Sequence, residues 1–183
     1  MSRGAQEKAR VRAAIVDALF DLMAEKDLSK VTVSDIVSRA GVARMSFYRN
    51  FESKEEVIEE YVDAVYRGLG KGSGREQSEF PTTPEGLEKR FEGSFSYLLG
   101  QRDRVLALYQ AGHGTLILDA MNRRAEEAFG DMPSTSPSRY GIYLATGAAF
   151  NVLIRWLEEG ARETPTELAK TCVRFLFGES HYQ

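Results

Sequence analysis

The sequence predicts an all-α protein. Alanine, leucine, glutamate and arginine abound, apolar residues recur at spacings of three and four along nearly every long segment, and the period-two alternation of half-buried strands is scarce. A chain of 183 residues, 43% hydrophobic and 28% charged, has the composition of a soluble globular protein and length enough to bury a core. It contains no apolar run near the roughly 20 residues that span a bilayer, so no membrane partner is expected. The start Met1, Ser2, Arg3 runs polar, with no signal-peptide pattern, and a cytoplasmic setting is the expectation.

Residues 8 to 25 put Val11, Ile15, Leu19 and Leu22 on one face, with Val16, Phe20 and Met23 beside them, which reads as a long first helix. After the polar joint Asp27, Leu28, Ser29, Lys30, a short segment carries Val33, Ile36, Val37 and Ala40 at helical spacing and stops at Gly41. Arg44 to Tyr48 forms another short segment. Ser53, with Glu56 three residues later, reads as a capping box opening a fourth helix, whose stripe is Val57, Ile58, Tyr61, Val62 and Val65.

From Gly68 to Pro84 glycine and proline accumulate, the mark of a linker or mobile loop. Thr83 as N-cap and Pro84 as first helical residue restart the pattern, and Leu87, Phe91, Phe95, Leu98 and Leu99 supply a buried side. Helices are expected from about Arg102 to Tyr109 and from Thr115 to Phe129, broken by Gly112, His113, Gly114. A second break runs from Gly130 to Ser138. Tyr140 to Glu159 follows, apolar on more than one side, and then Thr164, Pro165 and Glu167 open a last helix carrying Leu168, Cys172, Val173, Phe175 and Leu176.

Residues 33 to 49 have the makings of a helix-turn-helix: two short helices, a turn glycine that tolerates a left-handed backbone, and a second helix with a polar outer face. Phe47 and Phe51, four apart, can face the core and leave Arg44, Met45, Ser46, Tyr48 and Arg49 largely outward. Arg44, near the helix start, has the fork to pair with guanine O6 and N7 in the major groove, and Met45 or the Tyr48 ring can touch a thymine methyl. Ser46, Tyr48, Asn50, Lys54 and the amide end of the fourth helix suit phosphate oxygens, and Thr32 can serve as N-cap and phosphate ligand together. On residue types alone, an ordinary helical hairpin with a solvated face also accounts for the segment.

Charge supports the first reading. The net charge is −3, which argues against indiscriminate nucleic-acid binding, yet residues 1 to 54 hold 10 lysines and arginines against 7 acidic residues.

The run from Val31 to Ile58 resembles the DNA-binding signature of the TetR (tetracycline repressor-like) family. Thr32-Val33 with Ile36, Ala40-Gly41-Val42, Phe47-Tyr48 with Phe51, and Ser53-Lys54-Glu55-Glu56 all fall in its register. The match covers about residues 8 to 66, and the remainder is similar only in helix order and the closing pair of long helices. The resemblance implies a nine- or ten-helix fold: an N-terminal helix-turn-helix domain over 1–52, and a C-terminal helical domain over 53–183 for effector binding and dimerisation. It implies as partners a double-stranded DNA operator of inverted half-sites, a small-molecule effector, and a second copy of the chain in a homodimer made by the last two helices. One departure is Ala43, where the family usually has a Ser or Thr capping the recognition helix.

Farther on, Tyr97 to Asn122 and the run Trp156, Gly160, Pro165 resemble a branch of the family that includes regulators of dihydroxyacetone kinase operons, and the family would put the latter run in the dimer interface. Trp156 and Phe175 are the candidate dimer contacts, although Trp156 also reads as an ordinary core aromatic. Phe91, Phe95, Tyr109 and Tyr143 are candidate walls of an effector pocket, with His113 or Asn151 orienting the ligand. Arg155 also stands out among apolar neighbours. For each polar member, a satisfied core or surface role is the competing account.

Catalysis has little to build on. The chain has His113, His181 and the lone Cys172, and neither a nucleophile-base-orienter set nor metal-ligand spacing emerges. No cofactor and no metal are expected, and Cys172 reads as a buried structural thiol. Two alternatives to a ligand-released repressor remain: a TetR-like adaptor working mainly through a protein partner, with Ala43 as its support, and an enzyme on a helical scaffold.

Overall fold

The structure, a computed structural model, describes residues 3–71, 83–129 and 137–177. Among these residues there are nine α-helices, one 3-10 turn at Leu28–Lys30, and no strand. Much of the expected linker after Gly68, much of the break at 130–138, and His181 lie outside the described residues. By its internal contacts the chain divides into Met1–Ala64 and Val65–Gln183.

The first unit contains α1 (Arg3–Glu25), α2 (Val33–Ala40), α3 (Arg44–Tyr48) and the first part of α4 (Lys54–Lys71). Helix α1 starts five residues before the expected Lys8. That added turn buries nothing and is sustained on its surface by the Glu7–Arg10 pair at 2.6 Å. The core is the predicted stripe: Ile15 and Leu19 of α1, Ile36 of α2, Phe47, Phe51, and Val57, Ile58 and Tyr61 of α4. Phe20 and Tyr61 meet at 4.4 Å between ring centroids. Arg12 ties the unit together, donating to the Asn50 carbonyl and to Glu60 at 2.6 Å each and lying 4.2 Å from the Phe51 ring centroid.

This packing explains why the first unit closes at Ala64 and not at the expected residue 52. Three turns of α4 lie on the first core, so a boundary at its N-terminus would expose Val57, Ile58 and Tyr61. Ser53 accepts from the Glu56 amide at 3.2 Å, as expected, while the Glu56 carboxylate reaches the amide of Glu52, one residue short of the expected box. Helix α4 also continues through Gly68 to Lys71, into the stretch read as linker.

The second unit contains α5 (Pro84–Leu99), α6 (Arg102–Gln110), α7 (Gly114–Phe129), α8 (Pro137–Glu158) and α9 (Pro165–Leu176). Thr83 caps α5 through the Gly86 amide, with Pro84 in the first turn. Thr164 and Glu167 form a complete capping box on α9. Helix α5 packs on α9 and α7 on α8. Phe95, Leu98, Leu108, Ile117, Leu153 and Leu157 are fully buried between these helices. Cys172 is a buried free thiol, and burial pushes its pKa up to about 11.

Candidate functional site

Two sites stand out, one in each unit. The first is built on α2 and α3. Thr32 caps α2: its hydroxyl accepts from the Asp35 amide at 3.2 Å, and the Asp35 carboxylate accepts from the Thr32 amide at 2.9 Å. Lys26 adds an ion pair to Asp35 at 2.8 Å, and Lys26 foremost, with the Thr32 groups, holds this carboxyl well below the usual range. Gly41 then turns the chain at φ 64°, in the left-handed region that glycine enters without strain, and its amide closes α2 by donating to Ser38 and Val37.

Helix α3 follows with no side-chain cap, since Ala43 has no oxygen to offer its amides. Its inner side is Phe47, fully buried 6.0 Å from the Phe51 ring. Its outer side is Arg44, Met45, Tyr48 and Arg49, all exposed, with Met45 63% and Tyr48 47% accessible. Arg44 is held in place: it donates to the Ser34 hydroxyl at 3.1 Å and to the Tyr48 hydroxyl at 3.4 Å, and its guanidinium carbon lies 5.8 Å from the Tyr48 ring centroid. An anchored guanidinium loses less freedom on meeting a ligand than a loose one.

Three expected phosphate ligands are placed differently. Ser46 is half-buried. The Asn50 side-chain amide donates to the Ser46 carbonyl at 2.7 Å, with its oxygen buried. The Lys54 ammonium caps the 3-10 turn, donating to the carbonyls of Leu28 at 2.7 Å and Val31 at 3.0 Å. Asn50 and Lys54 therefore brace the helix-turn-helix from within.

The second site is a cavity of about 280 Å³ bounded by the end of α4 with α5, α7 and α8. Phe91 and Phe95 line it, as expected. The other four expected ligand residues do not. Tyr109 packs against Phe150 at 6.4 Å, and His113 lies in the α6–α7 turn, its backbone amide donating to the Leu108 carbonyl at 2.8 Å. Tyr143 bonds Glu126 and Arg139 on the surface, and Asn151 is exposed, donating to the Gly147 carbonyl at 3.0 Å. In their place the cavity holds two charged residues that the sequence reading missed, Arg90 and Arg124, with the hydroxyl-bearing Ser94 and Thr146.

The expected dimer contacts separate as well. Trp156 is only 4% exposed, its ring beside Phe95 and its Nε1 donating to the Glu163 carbonyl at 3.1 Å, so it is a core residue of its own chain. Phe175 is 55% exposed on α9. Tyr140 and Leu144, one turn apart on α8, are exposed as well, Leu144 72%.

A pair of short helices with a left-handed glycine between them and an outward polar second helix defines a helix-turn-helix protein. Residues 15–61 match the family model described as bacterial regulatory proteins, tetR family. The uncharacterized HTH-type transcriptional regulator YxbF of Bacillus subtilis is 24% identical over 162 residues, which cover 86% of this chain and 42% of YxbF; the chain thus spans less than half of that relative's length. Among solved structures, a TetR transcriptional regulator from Streptococcus agalactiae superposes with a TM-score of 0.67 at 20% identity, covering 94% of this chain and 97% of that one. FadR from Bacillus subtilis, solved in complex with stearoyl-CoA, gives 0.63 at 20% identity, covering 92% and 99%. At such identities the structural likeness speaks for the fold. No helix among the described residues is long and apolar enough to cross a membrane.

Proposed function

We propose that the protein is a homodimeric, sequence-specific regulator of transcription that represses by binding an inverted-repeat operator and is released by a small-molecule effector. The observation that carries the DNA-binding part is the outer side of α3, where Arg44 is fixed between Ser34 and Tyr48 at the start of a helix short enough to enter a major groove. Arg44 and Met45 read base edges, while Arg49, Tyr48 and the N-terminus of α2 at Thr32 meet phosphates. The exposed Tyr140 and Leu144, one turn apart on α8, support pairing with a second copy, because such apolar patches commonly mark a protein interface.

The cavity supports release by a ligand, as does the ligand that FadR carries. Helix α4 contributes Val57 and Ile58 to the first core and Leu69 to the cavity wall, which makes it the mechanical link of the proposal. To loosen DNA about a hundredfold, the effector must favour the non-binding conformation by roughly 2.7 kcal/mol, and DNA must weaken effector binding by the same factor.

Footprinting on the DNA flanking the protein's own gene tests this reading. It predicts protection of two half-sites about one helical turn apart. A protein that folds and pairs yet protects no sequence would favour the adaptor alternative, which the uncapped start of α3 at Ala43 makes worth distinguishing.

A further inference from the structure

The cavity between the end of α4, α5, α7 and α8 has a chemical character that goes beyond room for an effector. Its walls are aliphatic and aromatic, from Leu87, Phe91, Phe95, Leu98 and Ile142 among others, and its lining includes two arginines and no acidic residue among the described residues. Arg124 keeps an ion pair with Glu127 at 3.5 Å, but its Nε is buried with no hydrogen-bond partner. Burial, and then the like charge of Arg124, push the Arg90 guanidinium below its ordinary pKa. Two guanidiniums on one apolar lining offer an anion charge-assisted hydrogen bonds away from bulk water, where such contacts are strongest.

Resting on the effector reading above, we propose that this cavity recognises a carboxylate on an apolar body, its head held by Arg90 and Arg124 and its tail against Phe91, Phe95 and Leu98. A 150 Å³ cavity takes up benzene, so scaling to this volume gives a ligand of about a dozen non-hydrogen atoms. Octanoate and decanoate have that size and charge.

The test is titration of the full chain with octanoate, octanol and octylamine, followed by calorimetry and by thermal shift. Octanoate should bind about ten- to a hundredfold more tightly than octanol, the worth of a charge-assisted contact, and octylamine should bind least. In R90Q and R124Q the preference for the acid should fall to within about threefold of the alcohol, while retained octanol binding reports an intact cavity. Should those variants fail to fold, Arg90→Lys and Arg124→Lys, which keep the charge, must still favour the acid over the alcohol. Equal binding of acid, alcohol and amine, no binding of any of them, or an acid preference untouched by both glutamine substitutions would overturn the proposal. The effector reading is judged separately, on the same samples, by DNA affinity. Octanoate that binds through the arginines without loosening DNA would leave the anion pocket standing and sink the release mechanism.

Discussion

In the first unit the cations face outward or brace the surface, whereas in the second two guanidiniums turn into an apolar space. Arg44 and Arg49 stand exposed on α3, and Lys54 and Arg12 tie surface turns to one another. Arg90 and Arg124 instead line the cavity. On the readings proposed above, the same residue type serves two kinds of anion. Exposed, anchored cations on a short helix suit a large polyanion met from outside, because little of their hydration is given up until contact. Cations at an apolar cavity suit a small anion whose body shares the burial.

The largest effect expected from breaking one side of this comparison comes from the core beneath the reading helix. Phe47→Ala removes a fully buried ring on which α3 rests, and should cost about 3–5 kcal/mol in urea unfolding. DNA binding would fall with it, through loss of the helix and not of any contact.

The exposed face of α8 is the next point of leverage. On the homodimer reading, Leu144→Glu places a charge on this apolar face and should raise the dimer dissociation constant by about tenfold or more in sedimentation, with little change in the fold of each copy. Trp156→Ala is the sharpening control. It lies within the core of its own chain, so it should lower thermal stability first and dimerisation only as a consequence.

A smaller effect is expected at the cap of α2. Thr32→Ala removes the side-chain acceptor for the Asp35 amide and should cost about 0.5–2 kcal/mol of stability. Asp35 adds a pH signature. Its carboxyl is depressed in the folded state by Lys26 and Thr32, so its contribution is present above the unfolded-state value near 4 and is lost as pH falls through the lower folded value. Asp35→Asn should flatten the acid limb of the stability profile.

The smallest effect is a gain. Ala43→Ser supplies the missing cap on α3 and should stabilise the unit by about 0.5–1 kcal/mol. On the DNA-binding reading, it should also tighten binding modestly across all sequences.

The two units also differ in how much of them was legible beforehand. The helix-turn-helix is written within a short contiguous run: the Thr32 cap, the Gly41 turn and the Phe47–Phe51 spacing each fix their neighbours' geometry locally. The inward turn of Asn50 and Lys54 is not legible there, because their partners, carbonyls of Ser46, Leu28 and Val31, carry no sequence signal.

The cavity draws its walls from four helices far apart in the chain, so only Phe91 and Phe95, on the evident apolar stripe of α5, were found. A signal for the arginines did exist. Arg90 falls on the stripe Leu87, Phe91, Ser94, Phe95, Leu98, and Arg124 falls three residues after Met121 on the buried side of α7. A cation within an inward stripe marks a lined cavity better than the isolated polar groups His113 and Asn151: neither lines it, and the Asn151 amide donates to the Gly147 carbonyl of its own helix.

The central claim is that the outer side of α3 reads DNA sequence, and Arg44 tests it most directly. Selection from a random DNA library with the unaltered protein and with Arg44→Ala, at one matched salt concentration, gives the preference at every position of the site. The account predicts that the variant loses about 1–3 kcal/mol of specific affinity and relaxes its preference at one base pair in each half-site, the remaining positions keeping theirs. An unchanged preference at every position, with the variant folded, would contradict it.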